Sequence, residues 1–403
     1  MSRALEGLKV VEIGQEIQAP FASLFLADLG ADVIKVENRE TGDLSRFMLA
    51  ALIGGPEVKN AAISHYFIAM NRGKRSITVD LKQPAGIEIV RRLVKAADVL
   101  VTNYRPGVLE RLGLSFEELK KINPKIVFAQ GSSWGPKGDW VRRPSRDTLA
   151  QAASGIMAKT GRPGDPPMPS AILVADHSGG LSLASGILAA LVARDRTGQA
   201  QRVDASIYGT MIAMQGMEID YTSLTGQEPE RAGRGHQFLH GLWGAYQTKD
   251  GHICIAGVDD KRWPVFCKIM GIQHLENIPE YGDNVVRNFH GDKIQAVLDE
   301  IFPKRTSAEW LKELNEADIL VTEVVDYRTM LKNEQARVNG YLLELDHPTA
   351  GKILVSGAPV TINGEVPKEA KLPPEHGQHS EEILLEVGYS WEEISHLRES
   401  GAV

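Results

Sequence analysis

From Lys9 to Gln130 short β-branched runs alternate with segments of helical period, and such a chain is driven toward a mostly parallel sheet covered by helices. Lys9-Val10-Val11-Glu12-Ile13 reads as a strand, Phe21 to Leu29 as a helix, and Ala31-Asp32-Val33-Ile34-Lys35-Val36-Glu37 as a second strand. Together they make one βαβ unit. Further strands are predicted at Ser76 to Leu81, Asp98 to Thr102 and Lys125 to Gln130, with a helix over Pro84 to Ala97. The expectation is a doubly wound α/β fold. A long helix through Leu181 to Arg196 stops at Thr197-Gly198, and Gln201 to Ala205 offers another strand.

Near Thr225-Gly226-Gln227-Glu228-Pro229 the chain becomes polar and rich in turn residues. This divides it into a large domain over residues 1-220, a smaller α+β domain over 225-330, and a segment over 335-403 that returns to the large domain. The small domain opens on a hairpin of Trp243 to Thr248 and Gly251 to Ala256. The last segment carries strand-like Lys352-Ile353-Leu354-Val355 and a helix near Ser380 to Val387.

With 403 residues, 43% of them hydrophobic, the chain can bury a large core. A net charge of -7 argues against a nucleic-acid partner, so any phosphate site must be local. Cys254 and Cys267 have neither disulfide-framework nor metal-ligand spacing, and both read as core residues in a reducing compartment. No apolar signal region follows Met1 and no apolar run reaches membrane-spanning length, so a cytoplasmic protein without a membrane partner is the expectation.

Several motifs can be weighed on their chemistry. Gly14-Gln15-Glu16-Ile17-Gln18-Ala19-Pro20 follows the first strand but lacks the G-x-G-x-x-G cradle of a dinucleotide site. Arg72, Lys74, Arg75 and Lys82 form a basic cluster, read either as phosphate ligands or as a solvated turn. Asn103-Tyr104-Arg105-Pro106-Gly107 falls where ligands bind in open α/β sheets, beyond a strand's carboxyl end. Gly131-Ser132-Ser133-Trp134-Gly135 fits the nucleophile elbow of serine hydrolases, yet Pro136, Gly138 and Pro144 deny it the helix that must follow. His236 and His240 are four apart, but no glutamate lies between them and Gly235 disfavours a helix, so no metal site is expected. Asp176 stands at a helix start after strand-like Ile172-Leu173-Val174-Ala175, and its plain reading is an N-cap. Its second reading is a nucleophile, because Ser178-Gly179-Gly180 leaves room for an acyl group and backbone N–H groups for an oxyanion.

Taken jointly, Leu5 to Glu12, Leu26 to Glu37, Asn71 to Lys82, Asn103 to Gly107, Gln151 to Gly155, Ala175-Asp176 and Asp250-Gly251 resemble the class III coenzyme A transferases. That family also holds carnitine CoA-transferases, formyl-CoA transferases and α-methylacyl-CoA racemases. The resemblance implies a Rossmann-like large domain, a small domain, and two subunits threaded as linked rings. It implies Asp176 as the nucleophile, with Gly179, Gly180, Asp147 and Gln18 in support. A CoA thioester is then a substrate, and no tightly bound cofactor or metal is expected. CoA contacts carried over by position are Gln18, Ala19, Arg39, Arg72, Lys74, Arg75, Val79, Lys82, Asn103, Tyr104, Arg105, Arg111, Arg143 and Arg146. Some relatives carry an arginine where this chain has Asn38, with Arg39 beside it either substituting or not, and many carry Ala-Gly-Pro where this chain has Gln18-Ala19-Pro20. The segment from Gly233 through Gln237 to Gly241 is the expected closing loop.

Two alternatives stay open. A racemase needs an acid/base pair across the α-carbon, but the histidine expected before Asp147 is Arg146 here. A hetero-oligomer with a paralogous subunit is the other, against a homodimer. For the acceptor acid, Tyr221, Phe238 and Trp243 are candidates for an apolar pocket, while Arg143, Arg146 or His177 would pair with a second carboxylate.

Overall fold

A computed structural model describes residues 3–239, 241–366 and 370–403. The chain forms two compact units. One comprises the chain up to Ser154, Ala171–Met214 and Asn333–Val403; the other comprises Gly155–Ser170 and Gln215–Lys332.

The first unit is built on six parallel strands, β1 (Lys9–Ile13), β2 (Asp32–Glu37), β3 (Arg75–Thr78), β4 (Val99–Thr102), β5 (Val127–Ser132) and β6 (Gln201–Ser206). Their order is β3-β2-β1-β4-β5-β6, the doubly wound arrangement the sequence led us to expect. Strands covered on both faces read as continuous apolar runs, and alternate side chains sort to opposite sides. Val11, Ile13, Ile34, Val36, Leu100 and Phe128 pack against helix α3 (Pro84–Ala96) and the C-terminal helices α7 (Ser380–Glu386) and α8 (Trp391–Glu399). Val10, Val33, Val99, Val101 and Val127 pack instead against α1 (Gln18–Asp28) and α5 (Val174–Thr197). Each of these buried apolar side chains contributes about 1.5–3 kcal/mol, so the two layers hold the sheet from both sides.

Some elements differ from expectation for local reasons. Ile172 to Ala175 is not a strand, since Val174 and Ala175 already belong to α5. The strand expected over Ser76 to Leu81 ends at Thr78, although Val79 still packs into the core. Helix α8 was not anticipated, although Ser390 and Glu393 form its capping box. Helix α5 stops at Gly198 as expected, where φ is +68° and the N–H bonds Arg194 O at 2.7 Å. The C-terminal segment contributes to this unit directly, with Asp80 N donating to Ala402 O at 2.9 Å.

The second unit carries a three-stranded antiparallel sheet of Trp243–Gln247, His252–Ala256 and Val321–Glu323, in which the first two form the expected hairpin. Tyr246, Ile253, Phe266, Leu298, Phe302 and Trp310 are its core. The sequence reading kept residues 155–170 in the large domain, but they cluster with this unit. Gly233 N bonds Gly161 O at 3.1 Å, and Lys159 pairs with Glu228 at 2.7 Å. Among the described residues no helix is long and apolar enough to cross a membrane.

Candidate active site

The strand order reverses between β1 and β4, and loops leaving their carboxyl ends diverge to open a crevice. A cavity of about 1080 Å³ lies there, walled by residues 15–18, 103–106, 141 and 143–149, with Tyr66, Ser132, Ser133, Asp176 and Ile207, the first residue of helix α6 (Ile207–Ala213). Asp176 is the third residue of α5 and not its N-cap, which is Leu173 and supplies no side-chain bond. The capping comes from elsewhere. Asp147, buried at the start of helix α4 (Asp147–Ala153), accepts through Oδ2 the N–H groups of Ala175 at 2.7 Å and Asp176 at 3.0 Å. Its Oδ1 accepts from Gln151 Nε2. Backbone donors at a helix start are therefore satisfied by one carboxylate, leaving the other to face the cavity.

Burial raises the Asp176 carboxyl to about 7, and the like charges of Asp147 and Glu16 push the same way, while Arg146 opposes them. Glu16 sits in the turn after β1 with φ +63°, a left-handed conformation that a non-glycine residue holds only when its surroundings fix it. Its N–H donates to Asp43 Oδ1 at 3.2 Å, and its carboxylate pairs with Arg146 at 2.7 Å. Asn103 ties the same turn to the β4 loop, accepting Gln15 N at 3.0 Å and donating to Gln15 O at 2.8 Å. Gln18 is buried with Nε2 3.3 Å from Ala205 O. Tyr66, at the start of helix α2 (His65–Asn71), keeps its phenol protonated, because burial and then Glu16, Asp176 and Asp43 all raise it.

Of the residues singled out by sequence, Gln18, Asn103, Tyr104, Arg105, Arg143, Arg146, Asp147 and Asp176 line this cavity. Arg143 lies over the Trp140 ring at 4.8 Å, a cation–π contact that orders its long side chain. The rest are elsewhere. Ala19 and Val79 are core residues. Arg72 is paired with Asp28, Lys74 with Glu12, and Arg75 with Asp32, Glu382 and Glu386, so three of the four cations read as phosphate ligands or a solvated turn are ion-paired within the chain. Arg39 donates to Val403 O at 3.0 Å, and Lys82 and Arg111 lie outside the cavity wall.

Gly179 and Gly180 are interior positions of α5, where N–H groups join the helical ladder and are not free for an oxyanion. What they provide is room. A Cβ on Gly179 would come within 2.6 Å of Ile207 Cγ2, and one on Gly180 within 3.0 Å of Gln18 O. Tyr221, His236, Phe238 and Trp243 belong to the second unit, with Tyr221 against Phe238 at 5.3 Å and His236 against Trp243 at 5.8 Å. The expected closing loop also falls in that unit, and His240 lies outside the described residues. Glu16 and Tyr66 were missed by sequence reasoning. Neither has a local signal beyond following a strand or standing near a helix start.

A carboxylate held at a helix start above the switch point of a doubly wound sheet, in a cavity of this size, is equipment for acyl transfer. Residues 5–380 match the family model for CoA-transferase family III, and the chain belongs to that family. It is similar to the succinyl-CoA:glutarate CoA-transferase of Mus musculus, 34% identical over 96% of this chain and 86% of that one. An acetyl-CoA:oxalate CoA-transferase of Acetobacter aceti is 33% identical over 89% of each chain. Among solved structures, a CAIB/BAIF family protein from Brucella suis superposes with a TM-score of 0.83 at 29% identity, covering 96% of this chain and 100% of that one.

Proposed function

We propose that this enzyme moves CoA from a donor acyl-CoA to an organic acid through covalent intermediates on Asp176. The observation that carries the reading is Asp176 itself, presented to the cavity from a helix start whose backbone is fastened by Asp147. The ionised carboxylate attacks the donor's thioester carbonyl, the C–S bond breaks, and a mixed anhydride forms with release of the CoA thiolate. That thiolate attacks the aspartyl carbonyl, making an aspartyl-CoA thioester and freeing the donor acid. The acceptor carboxylate then repeats both steps in reverse and leaves with CoA. Every bond made or broken is at an acyl carbon, so no electron acceptor is required and no resident cofactor is invoked.

A carboxyl raised to about 7 is a stronger nucleophile, once ionised, than an ordinary aspartate. The racemase reading is weaker, because both oxygens of Asp147 are engaged, by Ala175 and Asp176 N–H and by Gln151, and Arg146 occupies the position of the second base. The names of the relatives put dicarboxylic acids such as glutarate and oxalate first in an acceptor screen. A homodimer of linked chains is our expected assembly, and native mass measurement separates it from pairing with a paralogous subunit.

The test is direct. Incubation with succinyl-CoA or acetyl-CoA and a panel of acids should give new CoA thioesters with the wild type and none with Asp176→Ala. Transfer that persists in Asp176→Ala would overturn the relay.

A further inference from the structure

The basic motif that the cavity does not use has another place in the fold. Lys74 has a fully buried side chain, and its ammonium donates to Glu12 Oε2 at 2.7 Å, Pro20 O at 2.8 Å and Asn71 Oδ1 at 2.9 Å. Glu12 lies across from Lys35 in the β1–β2 register. Lys35 donates to Glu12 Oε1 at 2.5 Å and to Gly14 O at 3.1 Å, and pairs with Asp43 Oδ2 at 2.6 Å. Asp43 in turn takes the N–H of Glu16 on Oδ1. Ser23 donates its hydroxyl to Glu12 as well. Two ammonium groups thus face two carboxylates with no solvent access.

This network grips three backbone atoms, Gly14 O, Glu16 N and Pro20 O. Those atoms bracket the turn whose residues Gln15 to Gln18 line the cavity and whose Glu16 is held at positive φ. Removing four charges from water costs several kcal/mol for each ion, and apolar side chains of similar volume often serve stability as well or better. The tension is visible at Lys74, whose ammonium is pulled down to about 8 by burial and by Lys35 despite the attraction of Glu12. The gain from such a network lies in fixing geometry, and the geometry fixed here is a cavity wall.

We infer that Lys74, acting with Glu12, Lys35 and Asp43, is a positioning residue that shapes the Gln15–Gln18 turn for binding of the acyl-CoA. The inference rests on the CoA-transfer reading. Lys74 touches no substrate in this role and works through the main chain of the turn.

The double variant Glu12→Gln/Lys74→Met removes one charge of each sign and leaves Lys35 paired with Asp43. Its binding of S-ethyl-CoA, a thioether that cannot transfer its group, is measured by calorimetry beside its melting curve and its steady-state kinetics. We expect cooperative melting, a Kd for S-ethyl-CoA about tenfold higher, and a matching rise in acyl-CoA KM that exceeds the change in kcat. A folded double variant with wild-type Kd and KM overturns the inference, since a purely structural role would alter melting alone. Where the double variant does not melt cooperatively, Lys74→Arg carries the same comparison. It keeps a cation on Glu12 but cannot set one nitrogen on all three acceptors, and a wild-type Kd there is equally fatal. A wild type that binds S-ethyl-CoA but transfers no CoA defeats the proposed function and leaves the positioning test readable.

Discussion

Asp147 Oδ2 accepts the backbone N–H of Asp176 at 3.0 Å, so one acidic residue fastens the helix start from which the other acidic residue is presented. The two carboxylates are close enough to repel, yet they do different work. Asp147 spends its charge on backbone donors, and Asp176 is left half-buried, facing the cavity, with its carboxyl raised to about 7. This division of labour makes the electrostatics of Asp176 testable through its neighbours.

Replacing Asp147 with Asn keeps an acceptor oxygen for the helix start and removes the like charge. Ionisation of Asp176 becomes easier, so the rising limb of the pH–rate profile, expected near pH 7 in the wild type, moves to lower pH. Asp147→Ala also loses the cap, which costs about 0.5–2 kcal/mol, and its melting temperature falls below that of Asp147→Asn. Parallel pH profiles and melts of the two variants check both statements.

Glu16 and Arg146 act on Asp176 with opposite signs. Glu16→Gln therefore shifts the limb to lower pH, and Arg146→Gln shifts it to higher pH. Shifts in one common direction would contradict the assignment of these charges.

Stability should carry the same signature. A carboxyl whose folded value lies above its ordinary 3.8 favours the fold while protonated, and that contribution is lost as pH rises through about 7. Asp176→Asn cannot ionise. It should match the wild type in melting temperature near pH 4, exceed it increasingly up to about pH 7, and keep a steady margin above that.

Gly179→Ala weighs two effects against each other. The new Cβ improves helix propensity by about 1 kcal/mol but meets Ile207 Cγ2 at 2.6 Å and Gln18 Nε2 at 3.3 Å. Overpacking of this kind costs about 1–3 kcal/mol, so the denaturant midpoint falls, and turnover falls with it as Gln18 is displaced.

The sheet could be read from the sequence because strands buried on both faces write themselves as apolar runs, as in Val10-Val11 and Val33-Ile34. Asp176 was singled out by the small residues after it, and the structure places it on the cavity wall. The ion pairs of Arg72, Lys74 and Arg75 were hidden from the sequence because their counterions, Asp28, Glu12 and Asp32, come from α1, β1 and β2, and only the folded sheet brings them together. The cap from Asp147 was hidden for the same reason, since it reaches its donors across 28 and 29 positions of chain. Glu16 was missed because positive φ outside glycine is commonest at Asn and Asp, and a glutamate gives no sign of it. Helix α8 was a different case, because its Ser390 and Glu393 cap pair stood in plain view.

The central claim is a covalent relay on Asp176, and intact-protein mass spectrometry after incubation with succinyl-CoA and a hydroxylamine quench tests it most directly. An activated aspartyl carbonyl yields a hydroxamate. A relay on Asp176 predicts the mass gain of one hydroxamate, mapped to the Asp176 peptide, dependent on acyl-CoA and absent in Asp176→Ala. An unmodified Asp176 across a broad panel of acyl-CoA donors, under conditions where CoA is transferred, would contradict it.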